Sequence, residues 1–183
     1  DSDFEVEAKF DSLPAVQYQF EGIIAEDANG IGLRFDVLQD GKPQLQAFVG
    51  RNIGAAAPAQ VSRTSIADIP IPASGNSGTI HLRVKREGQH WTFSTSPDGL
   101  SWTEATSFDQ ALAVARLGVF AGNYQAAGNP PVFPVEVDYF NNLASPLGSE
   151  DGKIINRFPA ISVTGPAANA TFAAPASIAI TVN

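Results

Sequence analysis

The sequence has no cysteine and no methionine, only two tryptophans and two histidines, and few charges for its 183 residues. Without cysteine there is no disulfide framework, no thiolate metal site and no cysteine nucleophile. Two histidines, His81 and His90, are too few for a His-rich metal centre. Charged residues make up 16%, against the ~25% usual for soluble domains, and they lean negative, with 11 Lys and Arg against 19 Asp and Glu. The formal charge of -8 opposes non-specific association with nucleic acid or an anionic membrane surface. No apolar run approaches the ~20 residues that a spanning helix needs. The chain is therefore expected to have neither nucleic acid nor membrane as a partner and to be secreted or held at a cell surface. Its opening Asp1-Ser2-Asp3 reads as a mature or excised N-terminus.

What the sequence does have is alternation. Phe4, Val6, Ala8 and Phe10 alternate with Glu5, Glu7, Lys9 and Asp11, the period of a half-buried strand. Tyr18, Phe20, Gly22 and Ile24 share one face of a second segment, and Leu33, Phe35 and Val37 alternate with Gly32, Arg34 and Asp36 in a third. An Asp27-Ala28-Asn29-Gly30 turn joins those two, and Asp40-Gly41-Lys42-Pro43 leads to a return strand at residues 44–49. Gly54–Pro58 reads as a loop and Ala59–Ile66 as a further strand. The clearest stretch is Thr79–Arg86, where Ile80, Leu82 and Val84 alternate with His81, Arg83 and Lys85. Glu87-Gly88-Gln89 and Ser96-Pro97-Asp98-Gly99 bracket the next strand, and Ala113–Ala121 and Phe133–Phe140 complete the set. Phe108–Ala115 alone has room for a helical turn. Short strands at this spacing indicate an all-β sandwich or barrel.

Composition turns linker-like near Ser145-Pro146-Leu147-Gly148-Ser149. The expected organisation is a sandwich over residues 1–148, a linker over 149–160 and a short segment at 161–183 with two strands, too little to bury a core alone. The sequon Asn169-Ala170-Thr171 carries little weight if the source is bacterial.

The run Leu82-Arg83-Val84-Lys85-Arg86-Glu87-Gly88, with Trp91-Thr92-Phe93-Ser94-Thr95 and Ser96-Pro97-Asp98-Gly99-Leu100-Ser101-Trp102, resembles the concanavalin A-like (laminin-G-type) modules of bacterial carbohydrate-active proteins. The C-terminal module of β-xylosidases is one of these. Asp3–Phe10, Tyr18–Ile24, Leu33–Asp36, Gly118–Asn123 and Val137–Asn142 agree with the resemblance, which covers nearly all of residues 3–148. It implies a jelly-roll of two antiparallel sheets, an extracellular location and carbohydrate-related work, with no particular sugar. Such modules normally begin with one or two strands ahead of the stretch matching Asp3. Those strands are therefore expected to be missing, or replaced by the C-terminal segment. The segment at Ile161–Asn183 is similar to the opening of bacterial immunoglobulin-like repeats, which implies neighbouring domains of the same polypeptide as partners.

Three kinds of site deserve weighing. Glycoside hydrolysis needs two carboxylates held across a cleft. Glu136-Val137-Asp138-Tyr139-Phe140-Asn141 resembles the Glu-x-Asp-x-x-Glu strand of laminarinase-like enzymes but has Asn141 at the third acid, while the Glu5 and Glu7 pair is also common on solvated strands. The expectation is no catalysis in this chain. A sugar-binding face is the second kind. If the sheets pack through Phe20, Phe35 and Leu82, the opposite face presents Gln19, Glu21, Arg34, Asp36, Gln46 and Arg83. That face either receives a polyol or is a solvated, salt-bridged surface. Trp91 and Trp102 read as core, whereas Tyr124, before the loop 125–131, is the aromatic expected to be exposed. The ligand residues are thus Gln19, Arg34, Asp36, Gln46, Arg83 and Tyr124. The third kind is a structural Ca2+ held by Asp27 and Asn29 with the Gly30 carbonyl, or by Asp138 with Asn141 and Asn142, although such turns also arise for backbone reasons alone.

The reading is a non-catalytic module binding a polysaccharide or oligosaccharide. Its rival is a structural or adhesive spacer with no glycan site, and a glucanase-type hydrolase comes third.

Overall fold

The computed structural model describes residues 2–53, 63–64, 78–124, 132–145, 149–150, 153–154, 163–165, 171 and 181–182. Two five-stranded sheets, antiparallel throughout, form the architecture, and the described residues include no helix. The strands are β1 (Phe4–Phe10), β2 (Gln19–Glu26), β3 (Gly32–Leu38), β4 (Gln46–Ile53), β5 (Arg63–Thr64), β6 (Ile80–Glu87), β7 (His90–Ser96), β8 (Thr103–Asp109), β9 (Arg116–Asn123) and β10 (Val137–Asn142). One sheet runs β10-β1-β6-β7-β8 and the other β5-β4-β3-β2-β9. This is the two-sheet, jelly-roll-like sandwich that the alternation and the resemblance imply.

The chain divides into two units, Asp1–Pro146 and Leu147–Asn183. The second contains two short antiparallel pairs, β11 (Ser149–Glu150) with β12 (Lys153–Ile154) and β13 (Val163–Gly165) with β14 (Thr181–Val182). The loop expected at 54–58, the loop 125–131 and Asn169 lie outside the described residues, as do all but Arg63 and Thr64 of the strand expected at 59–66. The helical turn expected at Phe108–Ala115 is absent. β8 continues through Phe108 to Asp109, and residues 110–115 run as irregular chain, pinned by the Gln110 amide donating to Gln89 O at 2.8 Å and the Ala115 amide to Glu26 O at 2.8 Å.

Alternation puts one face of each strand into the space between the sheets. Val6, Ala8 and Phe10 of β1, Ile80, Leu82 and Val84 of β6, and Trp91 and Phe93 of β7 are buried there. They meet Ile23 and Ala25 of β2, Leu33, Phe35 and Val37 of β3, and Ala47 and Val49 of β4. Phe35 sits at the centre, stacked on Trp91 (centroids 5.7 Å apart, 26°) and Phe108 (6.2 Å, 23°) and tilted against Phe93 at 5.6 Å. Trp91 satisfies its one polar atom by donating to Gln110 O at 2.8 Å. Burial of each such side chain contributes about 1.5–3 kcal/mol.

The turn after β7 shows why its residue types are needed. Asp98 Oδ1 accepts from the amides of Ser101 (2.7 Å) and Leu100 (2.8 Å), which hold its carboxyl down to about 2. Ser96 Oγ accepts from the Gly99 amide at 2.9 Å. Gly99 adopts φ +71°, and a Cβ there would lie 2.9 Å from the His81 ring. Trp102 closes the turn, donating to Gly99 O at 3.1 Å. Expected in the core, Trp102 instead lies on the outward face of its sheet, with the Arg83 guanidinium 3.8 Å from its ring centroid. Its hydrogen bond to Gly99 O and the Arg83 guanidinium over its ring hold the indole there.

Candidate ligand site

The register of the β4-β3-β2-β9 strands builds the site. Across the outward face, Gln46, Leu38, Phe20 and Gly122 form one row, Phe48, Asp36, Gly22 and Phe120 the next, and Gly50, Arg34, Ile24 and Gly118 a third. Three phenylalanines, one arginine and one aspartate thus share a few square nanometres of sheet. The Arg34 guanidinium lies 4.5 Å from the Phe20 ring centroid, 4.9 Å from Phe48 and 5.7 Å from Phe120. Such cation–π packing holds a guanidinium in place without removing its hydrogen-bonding capacity. Gly122 makes the arrangement possible, because a Cβ there would stand 2.7 Å from the Phe20 ring.

Arg34 Nη2 donates to Asp36 Oδ2 at 2.9 Å. Asp36 is fully buried, and burial pushes its carboxyl up to about 7, the charge and hydrogen bond of Arg34 opposing this only in part. Gln46 is also buried and donates from Nε2 to Gln44 O at 3.0 Å. Among the described residues, Asp36 Oδ1, Arg34 Nε and Gln46 Oε1 have no hydrogen-bond partner.

Above this floor is a pocket of about 330 Å³, at the lower end of the ~300–1,000 Å³ range of small-molecule sites. Phe20, Arg34, Leu38 and Phe48 line it from the strands, and Tyr18, Asp40, Asn123 and Tyr124 from the strand ends. Tyr18 and Tyr124 meet edge to face at 6.1 Å and remain exposed, at 38% and 54%. Tyr18 takes the left-handed conformation at φ +79°, fixed by its amide donating to Gln39 O (2.7 Å) and its carbonyl accepting from the Tyr124 amide (2.9 Å). A tyrosine in that region costs on the order of 1 kcal/mol or more, and such strain gathers at functional sites.

The residues expected to bind do not all meet here. Arg34, Asp36 and Gln46 share the outward face, and Tyr124 stands at the pocket. Gln19 and Glu21 belong to the opposite phase of β2, because pairing sets Ile23 against Phe35 and Glu21 against Val37 on the inward side. Gln19 is buried, accepting from the Ala15 and Val16 amides and donating to Val132 O at 2.8 Å. Phe20, taken as core, is the residue that faces the pocket. Phe48 and Phe120 join it on this face without belonging to the expected ligand residues. The clue in the sequence was the shared period of Gln46, Phe48 and Gly50, which needed the β3–β4 register to become a face.

Arg83 lies on the other sheet, in a second polar cluster. Its Nη2 donates to Glu7 Oε2 at 2.7 Å and its Nε to the same oxygen at 3.2 Å. Tyr139 donates its hydroxyl to Glu7 Oε1, and His81 Nδ1 lies 3.0 Å from that hydroxyl. Burial opposes ionisation of Glu7, yet the hydrogen bonds from His81, Tyr139 and Arg83 outweigh it and hold the carboxyl below its usual range. Both oxygens of Glu7 are thus engaged. Glu5 lies 3.6 Å from Arg83, Glu136 is exposed, and Asp138 pairs with Lys9 at 2.7 Å.

Asp27 Oδ1 accepts from the Ile31 amide (2.9 Å) and the Asn29 amide (2.8 Å), which lowers its carboxyl, so the turn's geometry accounts for Asp27 and Asn29. Asp138 is on the opposite sheet from that turn. No three His, Asp or Glu side chains converge as a metal-ligand group among the described residues.

No protein-family model and no curated protein matches the chain. Solved structures do. The GH43 BlXynB protein from Bacillus licheniformis is similar at 17% identity and TM-score 0.58, over 79% of this chain and 28% of that one. The xylan beta-1,4-xylosidase from Bacillus halodurans C-125 follows at 14% identity and 0.54, over 76% and 27%. GH43B of a Bacteroides ovatus xyloglucan locus gives 13% and 0.55, over 79% and 27%. The chain therefore spans little more than a quarter of these enzymes. At such identities the likeness establishes the sandwich fold, in agreement with the kind of module that the sequence resembles.

Proposed function

We propose that this chain is a non-catalytic, carbohydrate-binding module of a secreted modular protein, and that the saccharide is held in the Phe20–Arg34–Phe48 pocket. The observation that carries this reading is the pocket's chemistry. Aromatic rings on strands and strand ends surround one oriented guanidinium, the combination that packs on the apolar face of a sugar ring while reaching its polar edge. The occurrence of the same fold within GH43 chains supports a saccharide as the partner class. The engaged state of Glu7 and Asp138, and the protein-covered positions of Glu21 and Asp36, support binding without hydrolysis. Among the described residues, no pair of carboxylates stands free across the pocket, where hydrolysis would need ~5–9.5 Å between them.

Affinity electrophoresis of the full chain across plant, algal and bacterial polysaccharides tests the proposal. Retardation by a defined glycan, lost in Phe20→Ala and Phe48→Ala but retained in Arg83→Ala, is the expected result. Binding lost in Arg83→Ala and kept in Phe20→Ala would move the site to the Glu7 face. No retardation by any glycan would favour the structural or adhesive spacer, and release of reducing sugar would overturn the non-catalytic reading.

A further inference from the structure

The pocket contains a selectivity that its rings alone do not explain. Among the described residues that line the pocket, Arg34 is the one cation; around it the outward face carries Phe20, Gly22 and Ile24 of β2, Gln46, Phe48 and Gly50 of β4, and Gly118, Phe120 and Gly122 of β9, while Arg63 of β5 pairs with Gly50 at the edge of the face. The Glu26–Arg116 pair lies at the far end of the face, closed on itself at 3.1 Å. Asp40 lines the pocket from the strand end, where Lys42 pairs with it at 3.2 Å. Arg34 donates to Asp36 alone among the described residues, and about a fifth of its side chain stays exposed. Its fork is held in orientation by the three phenylalanines and is largely unused.

Resting on the saccharide reading above, we infer that the pocket selects sugars that carry a carboxylate, a uronic acid residue, with the ligand carboxylate on Arg34 and the sugar ring against Phe20 and Phe48. A planar, fixed guanidinium matches a carboxylate in two parallel hydrogen bonds, whereas a neutral sugar offers it only single acceptors. The aromatic and aliphatic surround of Phe20, Leu38, Phe48 and Tyr124 lowers the local dielectric and strengthens that pairing. Asp36 gives the site its signature. Buried beneath Arg34, with Oδ1 unpartnered among the described residues, it competes for the guanidinium when ionised and releases it when protonated. Its carboxyl titrates near 7, so a ligand anion gains as pH falls through that value, while its own carboxylate remains ionised.

Calorimetric titration of the full chain distinguishes the parts. The probes are oligogalacturonides and neutral xylo-oligosaccharides of equal length, each at pH 5.5 and pH 8. The uronate series is expected to bind at least ten-fold tighter at pH 5.5, and to weaken several-fold at pH 8. Arg34→Gln should abolish the preference, and Arg34→Lys should reduce it even though the charge is kept. Asp36→Asn should retain the preference and flatten its pH dependence. Near-UV circular dichroism checks that each variant is folded. If neutral oligosaccharides bind as tightly as uronates and Phe20→Ala removes both, the acidic selectivity is wrong while the saccharide site stands. If neither series binds, both readings fail.

Discussion

Glu21 sits at the inward side of β2 with no exposed surface, in a position that its neighbours Ile23 and Ala25 fill with hydrocarbon. Ser12 Oγ donates to its Oε2 at 2.7 Å, and Oε1 has no partner among the described residues. Burial pushes the carboxyl up to about 7 from 4.5, with the serine hydrogen bond opposing weakly. In the unfolded chain the group ionises near its ordinary value, so between about pH 4.5 and 7 the folded state binds the extra proton. The contribution is full below pH 4.5, is lost as pH rises through 7, and is constant above. At about 1.4 kcal/mol for each pH unit, the loss is about 3 kcal/mol. Glu21→Gln keeps an acceptor for Ser12 and cannot ionise. Urea unfolding at pH 4.5 and pH 8 should therefore show wild type and variant similar in acid, and the variant more stable by about 3 kcal/mol in base. Parallel losses in both proteins over that range would refute the assignment of a buried, neutral carboxyl to Glu21. Asp36 acts with the same sign on the opposite face, so its contribution is also lost as pH rises through about 7, in wild type and variant alike.

Three further outcomes follow from particular contacts. Trp91→Ala empties the space between Phe4, Phe35 and Arg86 and should cost about 3–5 kcal/mol in chemical denaturation. Gly22→Ala should give no folded protein by circular dichroism, because its Cβ would stand 2.1 Å from Phe35 O, which is backbone and cannot yield. Asp98→Ala removes the acceptor of the Leu100 and Ser101 amides, and hydrogen exchange at those two amides should accelerate while exchange in the core of β6 stays slow.

The sequence was legible where local chemistry is sufficient. In β1 and β6 every apolar residue alternates with a charged or polar one, so the pattern tells the two faces apart, and the structure turns the apolar set inward while Glu7 and His81 are buried in the polar network of the other face. The Ser96–Trp102 turn is also local, since each hydrogen bond that shapes it spans two or three residues. In β2 that logic misleads. Both phases, Phe20-Gly22-Ile24 and Gln19-Glu21-Ile23-Ala25, mix apolar and other residues, and hydrophobicity alone prefers the wrong one for the interior. Trp102 misled for a related reason, because an indole is apolar enough for a core and polar enough to lie beneath Arg83.

By itself, then, the sequence determined an all-β chain, the positions of most strands, the turns between them, and the inward residues wherever alternation was clean. Those features rest on interactions of a few residues' span. Only the tertiary structure decided that β1 pairs with β6 and β10, that β9 returns to β2, and hence that Phe20, Arg34, Asp36, Phe48 and Phe120 converge on one outward face. A register is a choice among pairings that differ by two residues in position and little in local energy. It is settled by how the whole face packs, and the pocket exists only after that choice is made.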